Sequence, residues 1–191
     1  MRVSFVGIAL VLCACASGGG AKSESGDTPM RQQRLEYTRI ETPGGPIEID
    51  WEHERTFDET SLLVNVDKAW AAVPTVFGEL GIAPGVIDSK QHVFGNAGAT
   101  FRREMGRQRL SKYFDCGSTA GMSNSDTYDL NVRVISQIIP QGDGLSALRT
   151  QAEATAHANA VSGQSVRCAS TGELERRIAT MVSEQASRAG T

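Results

Sequence analysis

Four cysteines, three histidines and one dense run of arginines carry the reactive chemistry available to this chain. A thiolate is a nucleophile or half of a bridge. An imidazole is a base or a metal ligand, and a guanidinium grips oxyanions. His53, His92 and His157 stand far apart with no metal-ligand spacing, so they read as structural residues. Glu48, Asp50, Glu52 and Glu54 alternate with apolar residues, which fits an exposed strand face better than a carboxylate cluster. The motifs of zinc hydrolases, serine hydrolases, P-loops and dinucleotide folds are missing from the sequence, and no metal or cofactor is expected. Arg102, Arg103, Arg107, Arg109 and Lys112 crowd one short stretch, opposed only by Glu104 and flanked by Phe101, Tyr113 and Phe114. Such a patch suits lipid headgroups, lipopolysaccharide phosphates or an acidic protein surface. The competing reading is a solvated patch that pairs with the acidic strand of residues 48–59.

The elements that must position these residues have modest material to work with. The chain has 191 residues, 40% hydrophobic, 21% charged and only 6% aromatic. That suits one compact domain with a small core. It excludes a coiled-coil rod, a collagen and a multi-span membrane protein. A net charge of -3 argues against a general nucleic-acid binder.

Residues 1–15 read MRVSFVGIALVLCAC. Arg2 is followed by an apolar stretch of signal-peptide length, Val3 to Leu12, too short to span a bilayer as a helix. The closing Leu12-Cys13-Ala14-Cys15 resembles the lipobox of bacterial lipoproteins. That resemblance implies cleavage after Ala14 and acylation of Cys15, a palmitate-type anchor that leaves residues 1–14 as signal peptide. Ala16, rather than aspartate, implies sorting to the outer membrane, with the protein facing the periplasm. Residues 15–40 form the lipidated N-terminus and a tether, Gly/Ser-rich through Met30, with nothing to bury. Residues 41–187 are left as one folded periplasmic domain.

Cys116 and Cys168 then remain to that domain, in an oxidising compartment where a bridge persists. Both sit beside small turn residues, and a disulfide between them is expected. It would close a loop of about 52 residues, worth roughly 4 kcal/mol on a chain-entropy argument. Phe114-Asp115-Cys116-Gly117-Ser118 also resembles, with its Ser-Gly order reversed, the signature of cell-wall cysteine peptidases of the NlpC/P60 type. That likeness implies a nucleophilic Cys116 with His157 as its base. The polar residues 118–127, however, do not read as the apolar helix which that chemistry requires.

Pro46 to Thr56 alternates as a strand and Thr60 to Val66 reads as a second. Asp67 to Leu80 reads as a helix capped by Asp67, carrying a Trp70/Val73/Phe77/Leu80 stripe, kinked or restarted at Pro74 and closed by Gly81. Short strands are expected at Val86–Asp88, Val93–Phe94 and Thr100–Arg103, joined by glycine-rich turns, then a helical turn within Arg107–Phe114. Tyr128–Ile139 and Leu148–Ala160 alternate as a long hairpin with one dry and one wet face. Pairing Ile139 with Leu145 sets its register and places Arg133 diagonal to Glu153. The row Ala152, Ala154, Ala156, Ala158 leaves room for a close-packed helix. Ser170-Thr171-Gly172-Glu173 supplies that helix with a capping box.

The expected class is α+β: an antiparallel sheet with two helices on one face, in two layers. Asp67, Ala69, Trp70, Leu80, Gly81 and Ile82 are similar to a packing motif in accessory lipoproteins of outer-membrane assembly, of the NlpB type. The likeness implies a small α+β module that binds protein, not a catalyst. The expected function is a membrane-anchored, non-catalytic envelope interaction module. Its alternatives are a binder of a small or lipidic ligand between helix and sheet, and a cysteine hydrolase. The expected partners are the membrane, through Cys15, and another envelope protein or anionic envelope surface.

Overall fold

The computed structural model describes residues 37–42, 45–50, 57–158 and 165–188. Strands β1 (Tyr37–Thr42) and β2 (Gly45–Asp50) form an antiparallel pair. Strand β3 (Phe57–Leu62) leads into helix α1 (Val66–Glu79). Strands β4 (Val86–Asp88) and β5 (Val93–Arg102) follow, then the small hairpin β6 (Glu104–Met105) and β7 (Gln108–Arg109). A 3-10 turn (Leu110–Lys112) precedes β8 (Phe114–Asp115), β9 (Ser118–Thr119), β10 (Met122–Ser123) and the single turn α2 (Asn124–Thr127). The long strands β11 (Asp129–Gln141) and β12 (Leu145–His157), then β13 (Ser165–Ser170) and helix α3 (Glu173–Arg188), complete the described residues.

Seven strands make one antiparallel sheet in the order β4-β5-β11-β12-β13-β8, with β3 also paired to β12. Strand β12 lies against β11 along its whole length on one side. On the other side it is shared, Ser146–Gln151 with β3 and Ala154–His157 with β13. The α+β expectation holds. Leu130, Val132, Val134, Ile138, Leu148, Ala152, Ala154 and Ala156 join Val73, Phe77, Leu174, Ile178 and Val182 of the two long helices in one core. Both helices therefore cover the even-numbered face of the hairpin. The alanine row does admit a helix: Ile178 and Val182 are fully buried on that side.

The other face is not uniformly wet. Ile135 packs with Ile40, Val86 and Val93 in a second buried cluster, and Ala147, Arg149 and Gln151 are buried too. Arg149 is held by Glu59 at 3.0 Å, directly opposite in register.

The local differences from expectation have physical causes. The β11–β12 register pairs Gln141 with Leu145, two residues beyond the expected pairing, so Arg133 faces Glu153 directly, with an ion pair at 3.9 Å. Asp143 and Gly144 both take left-handed backbone (φ 62° and 74°), which tightens the turn and lets the strand run through Pro140. Even residues still face even ones, so the dry faces coincide. Residues Val93 to Arg102 form one strand rather than two joined by a turn. A Cβ on Gly95 would lie 2.2 Å from the Val134 carbonyl oxygen, so this glycine permits a close backbone approach beside the bulge at Val132/Val134.

Strand β3 starts at Phe57 and ends at Leu62, and Val66 already belongs to α1. Asn65, not Asp67, caps that helix, its side chain accepting from the Lys68 N–H at 2.9 Å. The helix runs unbroken through Pro74 and closes as expected on Gly81 (φ 74°). The Ile82 N–H donates to the Phe77 carbonyl and the Gly81 N–H to that of Gly78. At α3 the reciprocal box is replaced. Ser170 accepts from the Gly172 N–H and donates to Glu175, while Thr171 accepts from the Glu173 N–H. Gly172, at φ 76°, turns the chain between them. Strand β1 begins within the segment read as tether. Residues 51–56, the end of the first expected strand, lie outside the described residues, as do residues 159–160 at the end of the expected hairpin.

Candidate functional site

The basic segment and Cys116 lie on one continuous run at the edge of the sheet. Its buried anchors alternate with exposed cations. Met105, Leu110, Tyr113, Phe114 and Cys116 are buried, while Arg102, Arg103, Arg107, Arg109 and Lys112 reach solvent. Gly106 is required at the hairpin tip: its φ is 54°, and a Cβ there would stand 2.7 Å from Leu80 Cδ2. The hairpin is thus seated on the C-terminal end of α1.

Arg177 of α3 completes the seat. It donates to the Gly106 carbonyl at 2.8 Å and to the Tyr113 hydroxyl. Burial pushes the Tyr113 phenol above its usual value, and the Arg177 guanidinium opposes that rise. The Ser111 N–H and hydroxyl both donate to Asp126, at 2.9 and 2.8 Å. Ser125 donates to the Phe114 carbonyl and Asn124 to that of Cys116. Thr171 donates to the carbonyl of Lys112 at 2.7 Å. Residues 110–116 are therefore strapped to three other segments.

The five predicted cations do not act alike. Arg102 pairs with Asp129 at 3.5 Å and Lys112 with Glu173 at 3.9 Å. Arg176, at 2.8 Å, holds the Glu173 carboxyl below its usual value, with Lys112 adding to the effect. Among the described residues no carboxylate forms an ion pair with Arg103, Arg107 or Arg109. Of the acidic strand of residues 48–59, only the Glu59 side chain is described, and it pairs with Arg149; the side chains of residues 48–58 lie outside the described residues. Arg103 and Arg107 also sit at positive φ, 67° and 64°. Arg177 and Arg107 line a cleft of about 440 Å³ with Glu79, Gly106 and Met181. Sequence reading missed Arg177, whose distance in the chain hides it; only its place one turn into an amphipathic helix hinted that it faces inward.

Cys116 and Cys168 are joined in a disulfide, with their Cα atoms 4.2 Å apart. Ala169 pairs with Asp115 and Ser170 with Phe114, so the bridge continues the β13–β8 ladder by one rung. The thiol which the cysteine-peptidase reading needs is thereby consumed. His157 lies exposed on β12, and His92 packs edge-on to Trp70 at 5.6 Å. Trp70 and Phe77 in turn pack edge-on to Phe94, at 6.2 and 5.1 Å. A ligand between α1 and the sheet would have to displace these rings. Cys15, His53 and the side chains of Glu48 to Glu54 lie outside the described residues. No helix among the described residues is long and apolar enough to cross a membrane. The chain matches no family model, and no curated protein matches it.

Proposed function

We propose that this chain is an envelope lipoprotein, acylated on Cys15 and held at the outer membrane facing the periplasm. Its α+β domain works as a non-catalytic binding module. The Cys116–Cys168 disulfide is the observation that supports this reading most. Such a bridge persists in an oxidising compartment, and that is where a signal ending in Leu12-Cys13-Ala14-Cys15 would deliver the chain. The strapped segment that leads to the bridge supports binding over catalysis. Its backbone is held in place beneath exposed arginines, and its one thiol is bonded.

Two measurements on the expressed protein test this. Cys15→Ser should abolish acyl labelling and leave an uncleaved precursor or a released form. Labelling and membrane fractionation equal to the wild type would refute the anchor. Alkylation of the unreduced, folded protein should modify neither Cys116 nor Cys168. Two added alkyl groups would remove the bridge and restore the case for a nucleophilic Cys116.

A further inference from the structure

The molecule carries excess negative charge, yet its hairpin keeps three arginines that reach solvent and form no ion pair among the described residues, although Glu104 stands directly across β6–β7 from Arg109. Two of them hold a backbone conformation that glycine adopts freely and arginine adopts at a cost. Glycine at 103 and 107 would relieve both strains. Backbone strain that persists in a well-packed segment points to a use for the side chain held there. The hairpin does not need these side chains for packing, since Met105 and Leu110 root it and Arg177 pins its tip. Arg102 and Lys112, which are paired, frame the three that are not.

From this geometry we infer that the β6–β7 hairpin is an electrostatic docking face for the phosphate groups of an anionic lipid surface. Three observations favour a surface over a single small phosphate. Of Arg103, Arg107 and Arg109, all exposed, only Arg107 lines the adjacent cleft, so the three guanidiniums do not converge on one pocket. The adjacent cleft holds Glu79 beside Arg107 and Arg177, so it is not a purely cationic pocket for one small phosphate. No exposed aromatic or aliphatic side chain sits on the hairpin itself to grip a protein partner, because its apolar residues, Met105 and Leu110, are turned inward. Basic residues near such a surface contribute roughly 1 kcal/mol each, and salt screens them. The inference rests on the tethered reading only for the nearness of a membrane. The hairpin's own affinity does not depend on Cys15.

The test uses the full chain carrying Cys15→Ser, so that no acyl anchor contributes, and sedimentation with vesicles at low salt. The readout is partition onto phosphatidylglycerol vesicles relative to phosphatidylcholine vesicles, each variant compared with the parent, because the N-terminal segment with its own Arg2 is the same in all of them. Arg103→Gly, Arg107→Gly and Arg109→Gln should each lower that ratio about fivefold, the equivalent of roughly 1 kcal/mol per arginine. The two glycine variants should melt at the same temperature as the parent or higher, which separates lost binding from lost folding. Arg102→Gln, whose charge Asp129 already balances, should change the ratio less. A parent ratio near one, or a ratio unchanged in the three variants, would overturn the inference. Arginine-dependent binding of inorganic phosphate with no preference for phosphatidylglycerol would also overturn it, in favour of a discrete small-anion site.

Discussion

Tyr113 and Arg177, 64 residues apart in the chain, meet through a hydrogen bond from the guanidinium to the buried phenol oxygen. The same guanidinium holds the Gly106 carbonyl, so one side chain of α3 ties the hairpin tip to the base of the strapped segment. Arg177→Ala leaves the Tyr113 hydroxyl and a turn carbonyl without this partner and should cost roughly 1–3 kcal/mol. Tyr113→Phe in that background should recover part of the loss. Urea unfolding of the two single variants and the double variant measures the coupling, and strictly additive losses would dissociate the two residues.

Gly95 and Gly98 sit on one strand with different neighbours. An added methyl at Gly95 would collide with the Val134 carbonyl, whereas at Gly98 the nearest atom is 3.4 Å away. Gly95→Ala should cost about 3 kcal/mol or more, as overpacking against backbone does, and Gly98→Ala should cost well under half of that. Similar thermal shifts for both would place the bulge elsewhere.

Ala154 lies opposite Val132 on one side and Cys168 on the other, with α3 above. Ala154→Leu should destabilise by roughly 1–3 kcal/mol, and Thr155→Val, on the half-exposed face, by much less. Equal denaturation midpoints for the two variants would mean that the faces are exchanged.

Glu173 is a carboxylate held in its charged form by Arg176 and Lys112. Its folded value lies below its unfolded one, so its contribution is present above the ordinary value of 4.5 and fades as pH falls through the lower, folded value. The wild type should therefore be more stable than Glu173→Gln at neutral pH and should lose that advantage in acid. A constant difference in melting temperature from pH 7 to pH 3 would contradict this. The effect should be small, because the group is open to solvent.

Periodicity made the long elements legible. Alternation from Tyr128 onward gave β11 and β12 and the correct dry face, and the Trp70/Phe77 stripe gave α1. What stayed hidden was settled by contacts between distant segments. The two-residue register change depends on left-handed Asp143 and Gly144. The covering of Ile135 depends on Ile40, from a strand far upstream whose own pattern reads as tether. At the site, composition revealed the arginines and the cysteine pair. Which arginines are neutralised depended on Asp129 and Glu173, and the pin came from Arg177.

The division of β12 between β3 and β13 has a kinetic corollary. The β11–β12 hairpin closes through three residues, Gly142 to Gly144, so it is the fast, local nucleus of the sheet. Strand β3 arrives from 90 residues upstream to reach Arg149, and β13 must fold back beside the far half of the same strand. Joining Cys168 to Cys116, 52 residues apart, secures the non-local pairing of β13 with β8, which by the same locality argument closes after the hairpin. Contacts made after the rate-limiting step act on escape from the native state rather than on entry to it. Reduction should thus steepen the loss of the native state, with the unfolding rate rising while the refolding rate from the reduced chain barely changes. Stopped-flow traces in denaturant, with and without reductant, would show which limb moves.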